Sequence, residues 1–258
     1  MTGAAGAAVV EFRDVTFRIR ERLILDNLSF RVESGETLVL LGRSGSGKTT
    51  ALKMINGLLL PSSGEVLVDG RATTAWDVIA LRRGIGYVIQ EVGLFPHFTV
   101  GRNVGLVPTL EAWATERVAR RTEELLRQVG LDPAEFLSRR PRELSGGQRQ
   151  RVGVARALAA DPRLLLFDEP FGALDPVTRL ELQEQFRALR DKFQKTSIFV
   201  THDVREALRL GTRIGLLDHG TLEILAAPEE FVKSHTPETQ AFLEVLDLGP
   251  QIDTDAHR

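Results

Sequence analysis

Residues 9–32 alternate apolar and polar side chains (VVEFRDVTFRI, then LILDNLSFRV), the period-two rhythm of half-buried antiparallel strands. The rhythm then changes. Residues 37–41 (TLVLL) are an unbroken apolar run ended by Gly42, which predicts a strand buried on both faces that feeds a loop. A helix is expected over 48–60, stopped by Pro61 and a Ser-Ser-Gly turn, and a strand over 64–70 (GEVLVDG) ending in an Asp-Gly turn. From 100 to 143 strand character disappears, and Arg- and Glu-rich stretches with helical spacing (ERVARRTEELLRQVGL) predict an inserted helical lobe. Strands return at 164–167 (LLLF), 197–200 (SIFV) and 213–217 (RIGLL), with a helix over 176–193 between the first two. Strands alternating with helices argue for an α/β fold with a mainly parallel, doubly wound sheet.

Composition narrows the class. The chain has 258 residues, room for one large α/β domain, and its 43% hydrophobic and 26% charged fractions are those of an ordinary globular protein. The formal net charge of −2 predicts no general attraction to nucleic acid or to an anionic membrane surface. The absence of cysteine removes disulfides, thiolate metal sites and a cysteine nucleophile, and it fits a reducing cytoplasm. No apolar run approaches the roughly 18 residues of a membrane span. The opening MTGAAGAAVV is unlike a signal peptide, so any membrane role is expected to come through a partner.

Three segments carry chemistry. Gly42-Arg43-Ser44-Gly45-Ser46-Gly47-Lys48-Thr49 fits G-x-x-x-x-G-K-[ST] and lies between an apolar strand and a helix. Its glycines let backbone N–H groups turn toward a polyphosphate, and the helix N-terminus adds partial positive charge. Lys48 would reach the outer phosphates and the Thr49 hydroxyl would ligate Mg²⁺. Residues 164–170 (LLLFDEP) end a buried strand in two acids: Asp168 is placed to hold Mg²⁺, and Glu169, pointing elsewhere along an extended chain, to orient or deprotonate an attacking water. Ser145-Gly146-Gly147-Gln148 opens a helix with a natural cap and two glycines, a second N-terminus suited to anions. One nucleotide has one triphosphate tail, so a second cradle suggests a nucleotide held by another copy of the chain.

The set GRSGSGKT, Gln90, LSGGQ, LLLFDEP, Ala173-Leu174-Asp175 and Thr201-His202-Asp203, in that order, resembles the ATP-binding subunit of an ABC transporter over about residues 9–230. The resemblance implies a P-loop NTPase (RecA-like) core over 9–90 and 150–230 with an N-terminal antiparallel β-subdomain. It further implies a helical lobe over 91–149 and a short tail over 231–258. It implies ATP and Mg²⁺ as cofactors, nucleotide contacts from Gly42 through Thr50, Gln90 at the Mg²⁺ and the water, Asp175 at a dimer seam, and His202 on the terminal phosphate. It also implies a head-to-tail homodimer, a separate membrane-spanning permease, a solute-binding protein acting through it, and a place at the inner face of the cell membrane.

A closer likeness lies in residues 85–100 (IGYVIQEVGLFPHFTV), 103–110 and PFGALDP, which are similar to the ATPases of osmoprotectant importers for glycine betaine, choline or carnitine. Leu94, Phe95 and Phe98 would form an exposed apolar patch, and such patches mark partner surfaces. ATPase subunits do not touch the cargo, so an importer for another solute and a soluble, non-transport ABC ATPase remain the alternatives. Two departures stand out. Ile19 occupies the place where the family has an aromatic residue that stacks on adenine, with Phe17 on the same strand face. The tail after 230 is expected to be too short for the paired regulatory module of many osmoprotectant ATPases.

Overall fold

The computed structural model describes residues 8–89, 93–172, 174–193 and 195–247. Gln90 lies outside the described residues, as does Ala173. In chain order the elements are β1 (Ala8–Ile19), β2 (Arg22–Glu33), β3 (Thr37–Leu41), α1 (Lys48–Ile55), β4 (Ser63–Val68), β5 (Arg71–Ala72), α2 (Val78–Arg83) and β6 (Ile85–Val88). Then come α3 (Val100–Val104), α4 (Leu106–Leu110), α5 (Thr115–Gln128), α6 (Pro133–Phe136), α7 (Gly146–Leu158), β7 (Leu164–Asp168), α8 (Pro176–Phe193), β8 (Thr196–Thr201), α9 (Val204–Leu210), β9 (Arg213–Asp218), β10 (Thr221–Ala226), α10 (Pro228–Phe231) and α11 (Pro237–Asp247).

The alternating N-terminal segments pair as expected, in a four-stranded antiparallel sheet of order β2-β1-β4-β5. The unbroken apolar runs form a six-stranded sheet of order β10-β9-β3-β8-β7-β6, parallel throughout except for β10, which returns antiparallel along β9. β6 and β10 are edge strands of this sheet, and neither is marked by a long apolar run.

The runs are continuous because both faces of this sheet are covered. Leu38, Leu40, Leu166 and Val200 belong to one core with α1 and the antiparallel sheet, while their neighbours Val39, Leu41, Phe167 and Phe199 belong to a second core with α7 and α8. Phe167 and Phe199 stack at 4.3 Å, and Phe186 of α8 meets both edge-on.

One expectation needs correction. α1 stops at Ile55 rather than running to 60, because Gly57 takes φ +64° and the N–H groups of Leu58 and Leu59 fold back onto the Lys53 carbonyl. The tail contains a helix packed on the body: Phe242, Leu243 and Leu246 of α11 lie against the second core, and Arg205 of α9 donates to the Val245 carbonyl. Among the described residues no helix is long and apolar enough to cross a membrane.

Candidate functional site

β3 delivers the chain to residues 42–47 at its C-terminal end, and α1 starts at Lys48. A Cβ on Gly42 would lie 2.3 Å from the Leu217 carbonyl oxygen of β9, so no side chain fits there. Gly47, at φ +103°, would push a Cβ to 2.5 Å from the Leu25 side chain, whereas Gly45 at φ +82° faces open space. The loop is propped from behind by the β9–β10 turn, where the Gly220 N–H donates to the Ser46 carbonyl at 3.1 Å. Arg43, Ser44 and Gly45 are exposed, and Thr50 is half-buried one residue past Thr49.

Lys48 is 4% exposed, and its ammonium donates to the carbonyls of Gly42 (2.8 Å) and Arg43 (2.7 Å), which curls the loop around it. Burial pushes its pKa below the usual lysine value, against the pull of Glu169 and Asp168, which favour the charged form. A contact that no motif announces ties the exposed side of the loop to α11: the Arg43 guanidinium meets the Glu238 carboxylate at 3.1 Å.

The neighbouring strands supply the acids. Asp168, 8% exposed at the end of β7, accepts from the Thr49 hydroxyl through Oδ1 at 2.7 Å and from the Tyr87 hydroxyl through Oδ2 at 3.3 Å. Burial first, and the Asp168 charge second, raise the Tyr87 pKa well above its usual value, so this hydroxyl is a donor throughout the working pH range.

Glu169 is not on an extended chain, as the sequence suggests; it sits at φ +45°, in the left-handed region, while its N–H still bonds the Val200 carbonyl of β8. A non-glycine residue held there costs of order 1–3 kcal/mol and occurs where surrounding structure over-determines it. The turn aims its carboxylate at His202, whose Nδ1 lies 3.1 Å from Oε2. His202 follows β8 and is more than half exposed.

Behind it a buried polar chain, unmarked in the sequence, holds this end of the sheet. The Thr201 hydroxyl donates to Glu206 Oε2 at 2.6 Å, and Gln183 Nε2 of α8 donates to Oε1 at 3.1 Å. Burial raises the Glu206 pKa, with the Thr201 hydrogen bond opposing.

Ser145 caps α7 in a reciprocal box: its hydroxyl accepts from the Gln148 N–H (3.2 Å), and Gln148 Oε1 accepts from the Ser145 N–H (2.9 Å). The two glycines differ. Gly146 is exposed, but a Cβ on Gly147 would strike the Thr178 methyl at 2.6 Å, so that glycine is required by packing of α7 on α8 within the chain. Asp175 is exposed and caps α8, accepting from the Thr178 N–H at 3.0 Å, which holds its carboxyl below the usual range. Among the described residues no hydrogen bond or ion pair joins residues 145–148 to the phosphate loop.

Ile19 ends β1, opposite Arg22, and is 55% exposed; Phe17 is half-buried against the first core. Of Leu94, Phe95 and Phe98, only Phe95 is exposed: Leu94 packs on the second core and Phe98 lies half-buried under the Arg102 guanidinium at 3.9 Å. The anticipated patch is therefore smaller than the sequence suggests. The loop owes its shape to Asn103, fully buried, whose amide bonds the Phe95 backbone on both its N–H and carbonyl.

A glycine-rich loop curled around a buried lysine, with a threonine–aspartate pair and a strained glutamate at the adjoining strand ends, defines a P-loop nucleotide-binding cassette. The ABC transporter family profile matches residues 25–172, and the chain belongs to that family. It is 51% identical over 208 residues to the osmoprotectant import ATP-binding protein OsmV of Salmonella typhimurium, covering 81% of this chain and 54% of that protein. It is 43% identical over 253 residues to the glycine betaine uptake system ATP-binding protein YehX of Escherichia coli, covering 95% and 82%. The chain thus spans about half the length of OsmV and most of YehX. Among solved structures, the ATP-binding cassette MJ0796, a dimer in a post-hydrolysis state with ADP and Pi, superposes with a TM-score of 0.76 at 35% identity, covering 85% of this chain and 98% of that one.

Proposed function

We propose that the chain is the ATP-hydrolysing subunit of an ABC importer for a quaternary-amine osmoprotectant, acting as a head-to-tail homodimer on a separate membrane permease at the cytoplasmic face of the membrane. The observation that carries the chemistry is the meeting of Thr49, Asp168, Glu169 and His202 beside Lys48, from segments far apart in the chain. The names of the OsmV and YehX relatives support the osmoprotectant.

The donor set suits magnesium: a hydroxyl and a carboxylate, both hard oxygen ligands, 2.7 Å apart, with no gathering of three or more His, Cys, Asp or Glu among the described residues. Thr49 and Asp168 would hold it, and when bound it neutralises charge on the terminal phosphates. Lys48 and the N–H groups of residues 42–50 stabilise the charge that develops on the transferred phosphoryl group. Glu169 takes the proton of a water whose oxygen bonds the γ-phosphorus as the bond to the bridging oxygen breaks, and ADP and phosphate leave. His202 orients Glu169 and contacts the terminal phosphate, and Gln90 is assigned to the Mg²⁺ and the water by likeness alone. Ser145, Gly146, Gly147 and Gln148 complete the site of the opposite protomer, with Asp175 at the seam. The dimeric state of the MJ0796 cassette supports this arrangement.

The test is mixing. Ser145→Arg is expected to abolish Mg²⁺-dependent ATP hydrolysis while ATP still binds, and adding Lys48→Ala chains is expected to restore part of it, because one composite site then has two intact halves. Full activity in Ser145→Arg alone would refute the shared site. Co-purification of a multi-span subunit from detergent extracts, with uptake of labelled glycine betaine by the reconstituted complex, tests the transport reading; uptake of a different solute, or a complex without any membrane subunit, would overturn it.

A further inference from the structure

Tyr87 is the sole tyrosine of the chain. It stands on edge strand β6 in register with Leu166 of β7, and Asp168, two residues further along β7, shares its face. Its ring leans along the strand, and its hydroxyl reaches Asp168 Oδ2 at 3.3 Å while Thr49 holds Oδ1 at 2.7 Å. Both carboxylate oxygens are therefore fixed, each from a different element. A hydroxyl has one hydrogen and two lone pairs, so Thr49 can turn its oxygen to a metal and still donate to Oδ1. Tyr87 is the second neutral donor, on the other oxygen, and with it the carboxylate is kept from swinging about its last torsion.

The same residue lines a cleft of about 210 Å³ between the sheet edge and the helical lobe, facing Phe95, Leu106 and Val107. Its floor is tight: a Cβ on neighbouring Gly86 would come within 2.4 Å of the Ala157 carbonyl of α7, so β6 has no slack in that direction. Anything that fills or narrows the cleft bears on β6 at Tyr87.

From this placement we infer that Tyr87 is a positioning residue that holds Asp168 in its metal-binding orientation and mechanically joins that carboxylate to the cleft. The inference rests on the reading of Asp168 as the metal carboxylate of an ATPase.

Because there is one tyrosine, protein grown with 3-fluorotyrosine has a single ¹⁹F resonance. Adding ATP with magnesium is expected to shift it, ATP with a chelator to shift it far less, and Asp168→Asn to move it in the free protein. Leu106→Trp, or Val107→Phe if the first does not fold, narrows the cleft from the lobe side and is expected to move the resonance with ATP affinity unchanged. Tyr87→Phe is expected to raise the half-saturating magnesium concentration about fivefold, the worth of one ordinary hydrogen bond, at unchanged ATP affinity. A resonance blind to magnesium, or a parent-like magnesium midpoint in Tyr87→Phe, overturns the positioning role; a resonance blind to both cleft variants overturns the link. A parent chain that neither binds nor hydrolyses Mg·ATP instead refutes the ATPase reading.

Discussion

Gly147→Ala separates what the second glycine does inside the chain from what it does for a partner. The added Cβ would lie 2.6 Å from the Thr178 γ-methyl, with the next atom, Thr178 Cβ, at 4.0 Å. The Thr178 N–H donates to Asp175 at 3.0 Å, which fixes its backbone at the start of α8. Either α7 recedes from α8 or the Thr178 side chain leaves its rotamer. Overpacking of this kind costs about 1–3 kcal/mol, and replacing a helical glycine by alanine returns about 0.5–1 kcal/mol. The net expectation is a loss of roughly 0.5–2 kcal/mol, read as a fall in melting temperature of about 1–8 °C for a chain of this size. Thr178→Ser deletes the offending methyl and keeps the hydroxyl, so the double variant is expected within about 0.5 kcal/mol of the parent, a coupling that a double-mutant cycle measures directly. Urea midpoints and thermal melts of the four proteins provide the data. A Gly147→Ala protein as stable as the parent, or one that Thr178→Ser fails to rescue, would refute the packing explanation. ATPase activity that stays low in the rescued double variant would assign Gly147 a further role toward the partner's nucleotide.

Glu169→Gln keeps the side-chain shape and removes the proton acceptor, so ATP binding is expected to persist while kcat falls by about 10²–10⁴; hydrolysis within twofold of the parent would exclude Glu169 as the base. Glu206 has its folded-state pKa raised by burial from the ordinary 4.5, so between that value and the raised one the folded protein holds a proton that the unfolded chain has already released. Stability is expected to fall as pH rises through this window, and Glu206→Gln to flatten the dependence of the urea midpoint on pH; parallel curves would refute it. Ile19→Tyr is expected to tighten ATP about two- to tenfold through ring stacking with little change in kcat, and the parent to discriminate poorly between ATP and GTP in the same titrations. A normally folded Phe17→Ala that loses ATP affinity, beside an unchanged Ile19→Tyr, would move the stacking position to Phe17.

Short-range order was legible in the residues themselves. Alternation at 9–32 and the unbroken runs at 37–41, 164–167 and 197–200 separate the half-covered sheet from the one covered on both faces, because burial on one face or two is written directly into the period. The phosphate loop was legible for the same reason: its glycines, lysine and threonine act within one strand–turn–helix segment. Tertiary structure alone decided the rest. Thr49 and Asp168 were already expected at one magnesium, but their direct hydrogen bond, and that of Tyr87 to the same carboxylate, depend on strand order and register, which bring together positions 119 and 81 residues apart. The reasons for particular glycines are equally non-local, since Gly42 answers to a carbonyl on β9 and Gly147 to a methyl on α8. Glu169 looks like a residue on an extended chain until the Val200 hydrogen bond and the turn after it force a positive φ. Periodicity reports which side of an element is buried; it does not report what lies there. The identity of the neighbour across the contact is what makes a carboxylate a metal ligand, a base or a cap.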